Sequence, residues 1–327
     1  MNELKVKTKV IGVDLTLNNT TCAVVDIRGT ILAKEVFPTS DYPDISTYVS
    51  VLYETIMKLV RENGGTAEIR SVGISAPSSN YMTGSIENAA NLPWKGVVPL
   101  AAMLRDRLGM AVVLANDGYV TALGEHAFGS AHGMNDFVVM TFSMGGVGSC
   151  VFTNGKPHLG NNGFAGEIGH TCIELNGRQC GCGHKGCLER YVSTSGILDT
   201  AREMMAESDE PSLMRNIEHL NFKAFVLCCQ QGDKLAIEAV RRTGIILGRS
   251  IANYATALNP EAVVLTGDIN QVMEWLLEPT RESLEENVFH NLRGKVKILP
   301  SILETAERTV LGASALAWGV KEYSLFK

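Results

Sequence analysis

Three cysteines, three glycines, a histidine and a glutamate stand together in the ten residues "CGCGHKGCLE" at 180–189. Such a cluster can be a disulfide knot, a metal site or part of a catalytic pocket. Thiolates and imidazole bind Zn²⁺ tetrahedrally, and ligands that are close in sequence complete a structural site with little long-range organisation. Because three unpaired surface thiols would be a redox liability, the cluster favours a zinc site.

The start of the chain bears on which of these alternatives applies. "MNELKVKT" leads directly into the strand-like "KVIGVDL", without the basic and apolar regions of a signal peptide, which predicts a cytoplasmic protein. Thiols stay reduced there, so clustered cysteines favour metal binding or catalysis over disulfides. The cluster supplies three ligands, Cys180, Cys182 and Cys187. The spacing leaves the fourth open among His184, Cys172 and His170.

Length and charge narrow the class of protein. With 327 residues the chain is about twice the usual domain size, which predicts two domains. The net charge of -6 and the lack of Lys/Arg runs predict no direct contact with nucleic acid. No apolar run reaches the ~18 residues of a membrane span, so no membrane contact is expected.

Strand-like and helix-like patterns alternate along the chain. "KVIGVDL" at 9–15 and "TTCAVVDIRGTIL" at 20–32 predict strands that flank a polar turn, "TLNN". Apolar residues at helical spacing predict helices over 45–59 and 235–258, and the second of these suits either a core or an oligomer interface. This alternation is typical of an α/β fold.

The remaining apolar runs complete this pattern. "IRSVGISAP", "MAVVLAND" and "EAVVLTGD" are typical of buried parallel strands whose ends deliver side chains to a cleft. "DFVVMTFSMGGVGSCVFTNG" predicts two strands joined by a glycine-rich turn, and "AERTVLGASALAWGV" predicts a final helix. Each half of the chain begins with a hairpin, which hints at a duplicated architecture.

A possible catalytic group follows one of these strands. "VVLAND" ends on Asn116 and Asp117, at the carboxyl end of a buried strand, where α/β proteins place ligand contacts. A carboxylate there can accept a proton from a hydroxyl that attacks phosphorus. The same pair could instead cap the helix predicted for "GYVTALGEHAFG". Spacing alone does not choose between the two roles.

The segment "GFAGEIGHTCIELNGRQCGCGHKGCLERY" at 163–191 resembles the signature of the ROK family of sugar kinases and sugar-responsive repressors. Its glutamate, Gly-His, Cys-X-Cys and Gly-Cys-Leu-Glu elements stand in the family's order and spacing. "SAPSSNYMTGSIENAANLPWKGVVPL" is also similar to the segment that lines the sugar side in the family's bacterial glucokinases. The resemblance extends to "VLGASALAWG" near the end of the chain and is closest to glucokinase-like members.

The resemblance implies a fold and a domain plan. The fold is the actin-like ATPase (ribonuclease H-like) α/β fold, with two domains closing over a sugar. Residues 1–117 would form the first domain and 118–305 the larger second domain, which carries a loop at 170–187 that we call the zinc loop. A final helix at about 306–327 would return to pack on the first domain.

The resemblance also implies site residues. Zinc would be held by His170, Cys180, Cys182 and Cys187. With four protein ligands it has no open position, so its role is structural. Asp117 would be the general base, and the sugar would be held by Asn91, Asn116, Asp117, Glu167, His170 and Glu189.

The nucleotide side departs from the family pattern. Family kinases follow the first strand's Asp with Gly-Gly-Thr, whereas this chain reads "GVDLTLNN", and Leu17 stands where a phosphate would approach. Met144 replaces a hydroxyl-bearing residue in the second turn, and Asp268 adds a negative charge to the third. The nucleotide-binding residues implied by the resemblance are Asp14, Thr16, Asn18, Gly145, Gly146 and Gly267.

Three functions follow as hypotheses. The first is an ATP-dependent hexose kinase, for glucose or a close relative, in which Asp14 helps to place Mg²⁺. The second is a non-catalytic sugar sensor of the repressor type. Only eight residues precede the first strand, too few for a helix-turn-helix, so a sensor would need a partner to reach DNA. The third is a scaffold subunit that has lost its ligand. By resemblance, the chain is expected to form a dimer or tetramer.

Overall fold

The chain divides into two compact units. The computed structural model describes residues 6–89, 92–161, 163–304 and 307–320. The first unit runs to Gly133 and resumes at Ile302, and the second unit is Met134–Ser301. Within the described ranges, no helix combines the length and the apolar character that crossing a bilayer requires.

Two sheets and four helices make up the part of the first unit that the structure describes. Its strands are β1 (Lys9–Leu15), β2 (Asn19–Asp26), β3 (Ile31–Pro38), β4 (Ile69–Ser75), β5 (Ser79–Asn80), β6 (Ser85–Glu87), β7 (Val97–Val98) and β8 (Ala111–Ala115). Its helices are α1 (Ile45–Glu62), α2 (Leu100–Leu108), α3 (Asp117–Phe128) and, at the end of the chain, α9 (Arg308–Trp318). The helix predicted over 45–59 is thereby confirmed as α1.

The larger sheet of this unit has the order β3-β2-β1-β4-β8. Strands β1, β2 and β3 are antiparallel, while β1, β4 and β8 run parallel. The single strand predicted over 20–32 is wrong. The chain turns between β2 and β3, where the Asp26 carboxylate accepts bonds from the amides of Arg28 and Thr30, and Gly29 has a φ of 82°.

Helix α9 lies against the larger sheet at two glycines. A Cβ on Gly12 would lie 2.4 Å from the carbonyl oxygen of Val310, and one on Gly73 only 2.0 Å from that of Ala313. Only glycine permits so close an approach of helix backbone to sheet. On the other side of the unit, the buried residues of α1 pack with those of β1 and β4 in one apolar core.

Helix α3 belongs to the first unit, beyond the boundary that the sequence analysis drew at 117/118. It packs closely on α9, since a Cβ on Gly124 would lie 3.1 Å from the Cα of Gly312. Because α3 packs on α9, the first unit runs to Gly133 and does not end at the expected boundary of 117/118.

The second unit repeats the sheet pattern of the first. Its strands are β9 (Phe137–Ser143), β10 (Gly146–Thr153), β11 (Lys156–Pro157), β12 (Ala262–Gly267) and β13 (Lys297–Pro300). Their order is β11-β10-β9-β12-β13, with an antiparallel first half and a parallel second half. The hairpin that opens each half of the sequence thus belongs to one five-stranded plan used twice.

The second unit also contains α-helices. They are α4 (Glu189–Val192), α5 (Thr194–Glu207), α6 (Phe222–Gln230), α7 (Lys234–Leu258) and α8 (Met273–Asn287). The helix predicted over 235–258 is confirmed as α7, and its apolar face packs in a core with residues of β9 and β12. The zinc loop lies between β11 and α4, outside the regular elements apart from one short 3₁₀ turn, Ile168–His170.

Candidate functional site

A cavity of about 310 Å³ opens at the carboxyl ends of β1 and β4 in the first unit. We call it the Asp14 cavity. Two carboxylates and several hydroxyls meet there, although they come from four separate stretches of sequence. The lining residues are Asp14, Leu15, Thr16, Leu17, Ser75, Pro77, Asp117 and Thr309.

The two carboxylates of the Asp14 cavity have raised pKa values. Burial raises the pKa of Asp14 to about 6, and the nearby charge of Asp117 adds to this rise. The Asp117 side chain is open to solvent in the cavity, yet the surrounding protein also raises its pKa. A carboxylate with a raised pKa is a stronger base than an ordinary aspartate, as proton abstraction requires.

Asn116 and Asp117 take different local roles. Asn116 is the N-cap of α3, and its Oδ1 accepts a bond of 2.8 Å from the amide of Tyr119. Asp117 is the first residue of the helix, and its Oδ1 accepts a bond of 2.8 Å from the adjacent amide of Gly118. The capping role therefore falls to Asn116, and the Asp117 carboxylate lines the cavity.

Hydrogen bonds to neighbouring residues of the chain hold the first turn, residues 16–18, in place. The Thr16 hydroxyl donates to the carbonyl oxygen of Asn19 at 2.8 Å, and its oxygen accepts from the Asn19 amide. The carbonyl oxygen of Asn18 accepts a bond from the Thr39 amide. The Leu17 side chain is 48% exposed beside the cavity. The turn thus presents an apolar side chain where the family kinases have glycine.

The zinc loop brings a nitrogen and three sulfurs together. The ligand atoms of His170, Cys180, Cys182 and Cys187 all lie within 4.8 Å of one another. Two of the cysteines are buried and the other two ligands are exposed. Three thiolates and an imidazole are a donor set that suits tetrahedral Zn²⁺, so these residues could hold that ion.

The four residues that form this group are the ones implied by the family resemblance. The other proposed fourth ligands lie close by, with Nδ1 of His184 3.6 Å from the sulfur of Cys182 and Cys172 paired with Cys187 in an isolated β-bridge. The amide of His184 lowers the pKa of the Cys182 thiol to about 6, whereas burial raises that of Cys180 to about 12.

Glu189 connects this cluster with the glycine turn of the second sheet. Its Oε1 accepts a bond from the sulfur of Cys180 at 3.0 Å and lies 3.7 Å from Nδ1 of His170. Gly146 has a φ of 141°, which suits glycine, and a Cβ there would lie 2.4 Å from Oε2 of Glu189. Glu189 and His170, both expected to contact a sugar, therefore lie side by side in the second unit.

Arg178 fastens the zinc loop to the helices that follow it. Its guanidinium donates to the carbonyl oxygens of Arg190 and Gly196, to the hydroxyl of Thr200 and to the carboxylate of Glu203. The half-buried guanidinium thus has acceptors on every side. The loop is consequently held to the same α4 and α5 region that carries Glu189.

The other predicted residues have varied surroundings. Glu167 is exposed and precedes the 3₁₀ turn, where its carbonyl oxygen accepts from the His170 amide. Gly145 is exposed, with Met144 beside it 51% exposed. Gly267 has a φ of 97°, which suits glycine, and its Cα lies against Phe142. Asn91 lies outside the described residues.

Two polar residues that line the Asp14 cavity were not predicted from the sequence. Ser75 ends β4, and Thr309 lies in the first turn of α9. The polar end of "IRSVGISAP" was a sign that this strand delivers a side chain to a cleft. However, only the register of β4 beside β1 identifies Asp14 as its neighbour.

Two five-stranded α/β sheets of one plan, with a possible Cys/His metal site, define a protein of the actin-like ATPase fold. The chain belongs to the ROK family, whose sequence pattern matches residues 10–320. It is 31% identical to a glucokinase of Thermotoga maritima over 95% of this chain and 97% of that protein. It is 26% identical to a xylose repressor of Caldicellulosiruptor bescii over 94% of this chain and 77% of that protein.

Solved structures agree with this assignment. The structure of a ROK family glucokinase from Streptomyces griseus, in complex with glucose and AMPPNP, matches with a TM-score of 0.75. The sequence identity is 25%, and the match covers 95% of this chain and 99% of that one. The actin-like fold and the ROK family, both expected from the sequence, are thereby confirmed.

Proposed function

We propose that the protein transfers a phosphoryl group from ATP to a hydroxyl of a glucose-like hexose. The observation that carries this proposal is the Asp14 cavity, where two carboxylates with raised pKa values line one cavity near the ends of parallel strands. The similarity to glucokinases of the same family supports the choice of reaction.

Asp117 is the general base in this mechanism. Its carboxylate accepts the proton of the sugar hydroxyl as that oxygen attacks the terminal phosphorus of ATP. Mg²⁺, when bound with the nucleotide, supplies positive charge that offsets the phosphate oxygens, and Asp14 is the residue suited to hold it. Asn116 fixes the start of α3 and so the direction of the Asp117 side chain.

The sugar is held by hydrogen bonds to carboxylates and amides, which suit sugar hydroxyls because each oxygen accepts directional bonds. We assign this role to Asn91, Asn116, Glu167, His170 and Glu189. Zinc bound by His170 and the three cysteines would order the zinc loop and so position Glu189.

Replacement of Asp117 tests the mechanism. Asp117→Asn keeps the size of the side chain but removes the base, so kcat for sugar phosphorylation should fall at least ~100-fold. Glucose affinity, measured by isothermal titration, should change little. Asp44→Asn is the matched control, because Asp44 also stands at the start of a helix, α1, and lies outside the cavity. Turnover retained by Asp117→Asn would sink the mechanism.

A second function, a non-catalytic sugar sensor, is favoured by the two apolar side chains on the glycine turns. Leu17 and Met144 are each about half exposed, and they stand on the two turns that are expected to approach phosphate in kinases of the family. The similarity to a xylose repressor accords with this alternative. Titration with glucose and then with ATP and Mg²⁺ separates the two, because a sensor of this kind gives heat with the sugar and none with the nucleotide.

A further inference from the structure

The hydroxyl of Ser75 is a buried polar group that the proposed mechanism does not use. Ser75 is 1% exposed, and its Oγ has no hydrogen-bond partner among the described residues. A buried hydroxyl without a partner is destabilising, and such groups are rare in folded proteins. Ser75 lines the Asp14 cavity, so a ligand in that cavity can supply the missing partner.

Strand register sets Ser75 beside Asp14. The two residues are direct partners in the parallel pairing of β1 with β4, so their side chains leave the same face of the sheet. Two residues earlier in each strand, Gly12 and Gly73 pair in the same way and receive α9 on that face. Ser75, Asp14 and the start of α9 therefore share one face of the sheet.

The amino end of α9 points to this group. Val310 lies against Gly12 of β1, and Ala317 further along the helix accepts a bond from the Ser71 hydroxyl of β4. The helix thus begins near the carboxyl ends of the strands, and Thr309 of its first turn lines the cavity. A helix start carries partial positive charge and amide donors, which favour an anion.

The cavity has few other donors to offer an anion. Asp14 and Asp117 are acceptors when charged, and the Thr16 hydroxyl donates to the carbonyl oxygen of Asn19. The side chain of Leu17 is apolar and offers no donor. Ser75 and the first turn of α9 thus supply neutral donors to this cavity. Such donors suit an anion whose negative charge is partly offset by a bound cation.

We propose that Ser75 donates a hydrogen bond to the terminal phosphoryl group of the nucleotide, with the first turn of α9 beside it. This inference rests on the proposed kinase function and assigns to Ser75 and α9 the contact that the altered first turn lacks. A hydrogen bond to a charged phosphoryl oxygen supplies the partner that Ser75 lacks.

The test compares Ser75→Ala with Ser71→Ala. Both serines are buried on β4, but the Ser71 hydroxyl already donates to the carbonyl oxygen of Ala317 at 2.9 Å. Ser75→Ala should weaken binding of the non-hydrolysable analogue AMPPNP with Mg²⁺ about 10-fold or more, with glucose present. Binding of ADP with Mg²⁺ should change less than 2-fold, because ADP lacks the terminal group. Ser71→Ala should leave both affinities unchanged.

Thermal stability gives a second readout that needs no nucleotide. Removing an unpartnered hydroxyl should leave the melting temperature of Ser75→Ala equal to or above that of the parent chain, while Ser71→Ala should lower it. Equal losses of AMPPNP and ADP affinity, or no loss of either, would overturn the Ser75 contact while leaving the kinase proposal standing. Failure of the parent chain to bind either nucleotide would overturn both proposals together.

Discussion

The zinc loop and the Asp14 cavity collect their polar groups in opposite ways. The zinc loop draws four ligands from 18 consecutive residues, 170–187, and its ligand atoms already lie within 4.8 Å of one another. The Asp14 cavity draws Asp14, Ser75, Asp117 and Thr309 from four stretches that only the fold brings together.

The two regions also treat charge differently. At the zinc loop, the carboxylate of the neighbouring Glu189 accepts from a thiol and the Arg178 guanidinium has several acceptors, so these charged groups have partners. In the Asp14 cavity, burial and the nearby charge of Asp117 raise the pKa of Asp14, and one hydroxyl lacks a partner among the described residues. The partnered charges at the zinc loop favour a rigid structure, whereas the polar groups of the Asp14 cavity would gain partners from a bound ligand.

The largest effect is expected from breaking the zinc loop. Cys187→Ser removes a ligand that is fully buried, and zinc sites contribute their binding energy directly to folding. The variant should lose its stoichiometric zinc, lower the melting temperature by at least ~10 °C and weaken glucose binding at least ~10-fold. Metal content by elemental analysis, calorimetry and titration measure the three quantities.

Cys172→Ser is the matched control for this variant. Cys172 is exposed and pairs with Cys187 through backbone only, and it lies outside the four-ligand group. It should keep one zinc per chain and the parent's melting temperature. If Cys172→Ser lost the metal while His170→Ala kept it, the assignment of His170 as fourth ligand would be wrong.

The next largest effect is expected in the seat of α9. A Cβ added by Gly73→Ala would lie 2.0 Å from the carbonyl oxygen of Ala313, so the helix must shift away from the sheet. We expect a loss of about 3 kcal/mol of unfolding free energy, measured by urea denaturation. In the zinc loop, a Cβ on Gly181 has no neighbour within 4 Å, so Gly181→Ala should change stability by less than about 0.5 kcal/mol.

Features that depend on local sequence could be predicted, whereas features that depend on individual side-chain contacts could not. Local spacing predicted three of the proposed zinc ligands, Cys180, Cys182 and Cys187, and the family resemblance then selected His170 from three possible fourth ligands. The strands and long helices followed from apolar periodicity, because burial on one face dictates it. The break between β2 and β3 was not predicted from this periodicity, since it depends on the Asp26 carboxylate, which accepts bonds from the amides of Arg28 and Thr30.

The Asp14 cavity could be predicted only in part. Asp14 and Asp117 stood out as acidic residues at strand ends. Ser75 did not, because its neighbour depends on strand register, and a slip of one residue would turn it to the other face. The division of labour between Asn116 and Asp117 also required the structure, since either residue is a good helix cap.

A smaller effect is expected from the charge on Asp14. Because its pKa is raised from 3.8 to about 6, the folded chain holds this proton more tightly than the unfolded chain does. The contribution of Asp14 to stability should therefore fall as the pH rises from about 4 to about 6 and stay constant above that. Asp14→Asn removes this loss, so the unfolding free energy of the variant should exceed that of the parent by up to about 3 kcal/mol at pH 7.5.

Measurement at low pH is the control for the comparison of the parent chain with Asp14→Asn. Below about pH 3, Asp14 is largely protonated in both folded and unfolded chains, and parent and Asp14→Asn should have nearly equal stability. Urea denaturation at several pH values, without Mg²⁺ or nucleotide, gives the difference directly. A difference that stays constant from pH 4 to pH 7.5 would contradict the raised pKa.

The smallest effect is expected from Leu17, which separates the two functions proposed for this chain. Leu17→Gly removes an exposed isobutyl group beside the cavity and frees the turn to approach a phosphate. Affinity for ATP with Mg²⁺ should rise about 3- to 10-fold by titration in the presence of glucose. Leu175→Gly, which removes an exposed leucine from the second unit, should leave that affinity unchanged. An unchanged affinity in Leu17→Gly would mean that the leucine does not oppose the nucleotide, and the main argument for a sensor would fall with it.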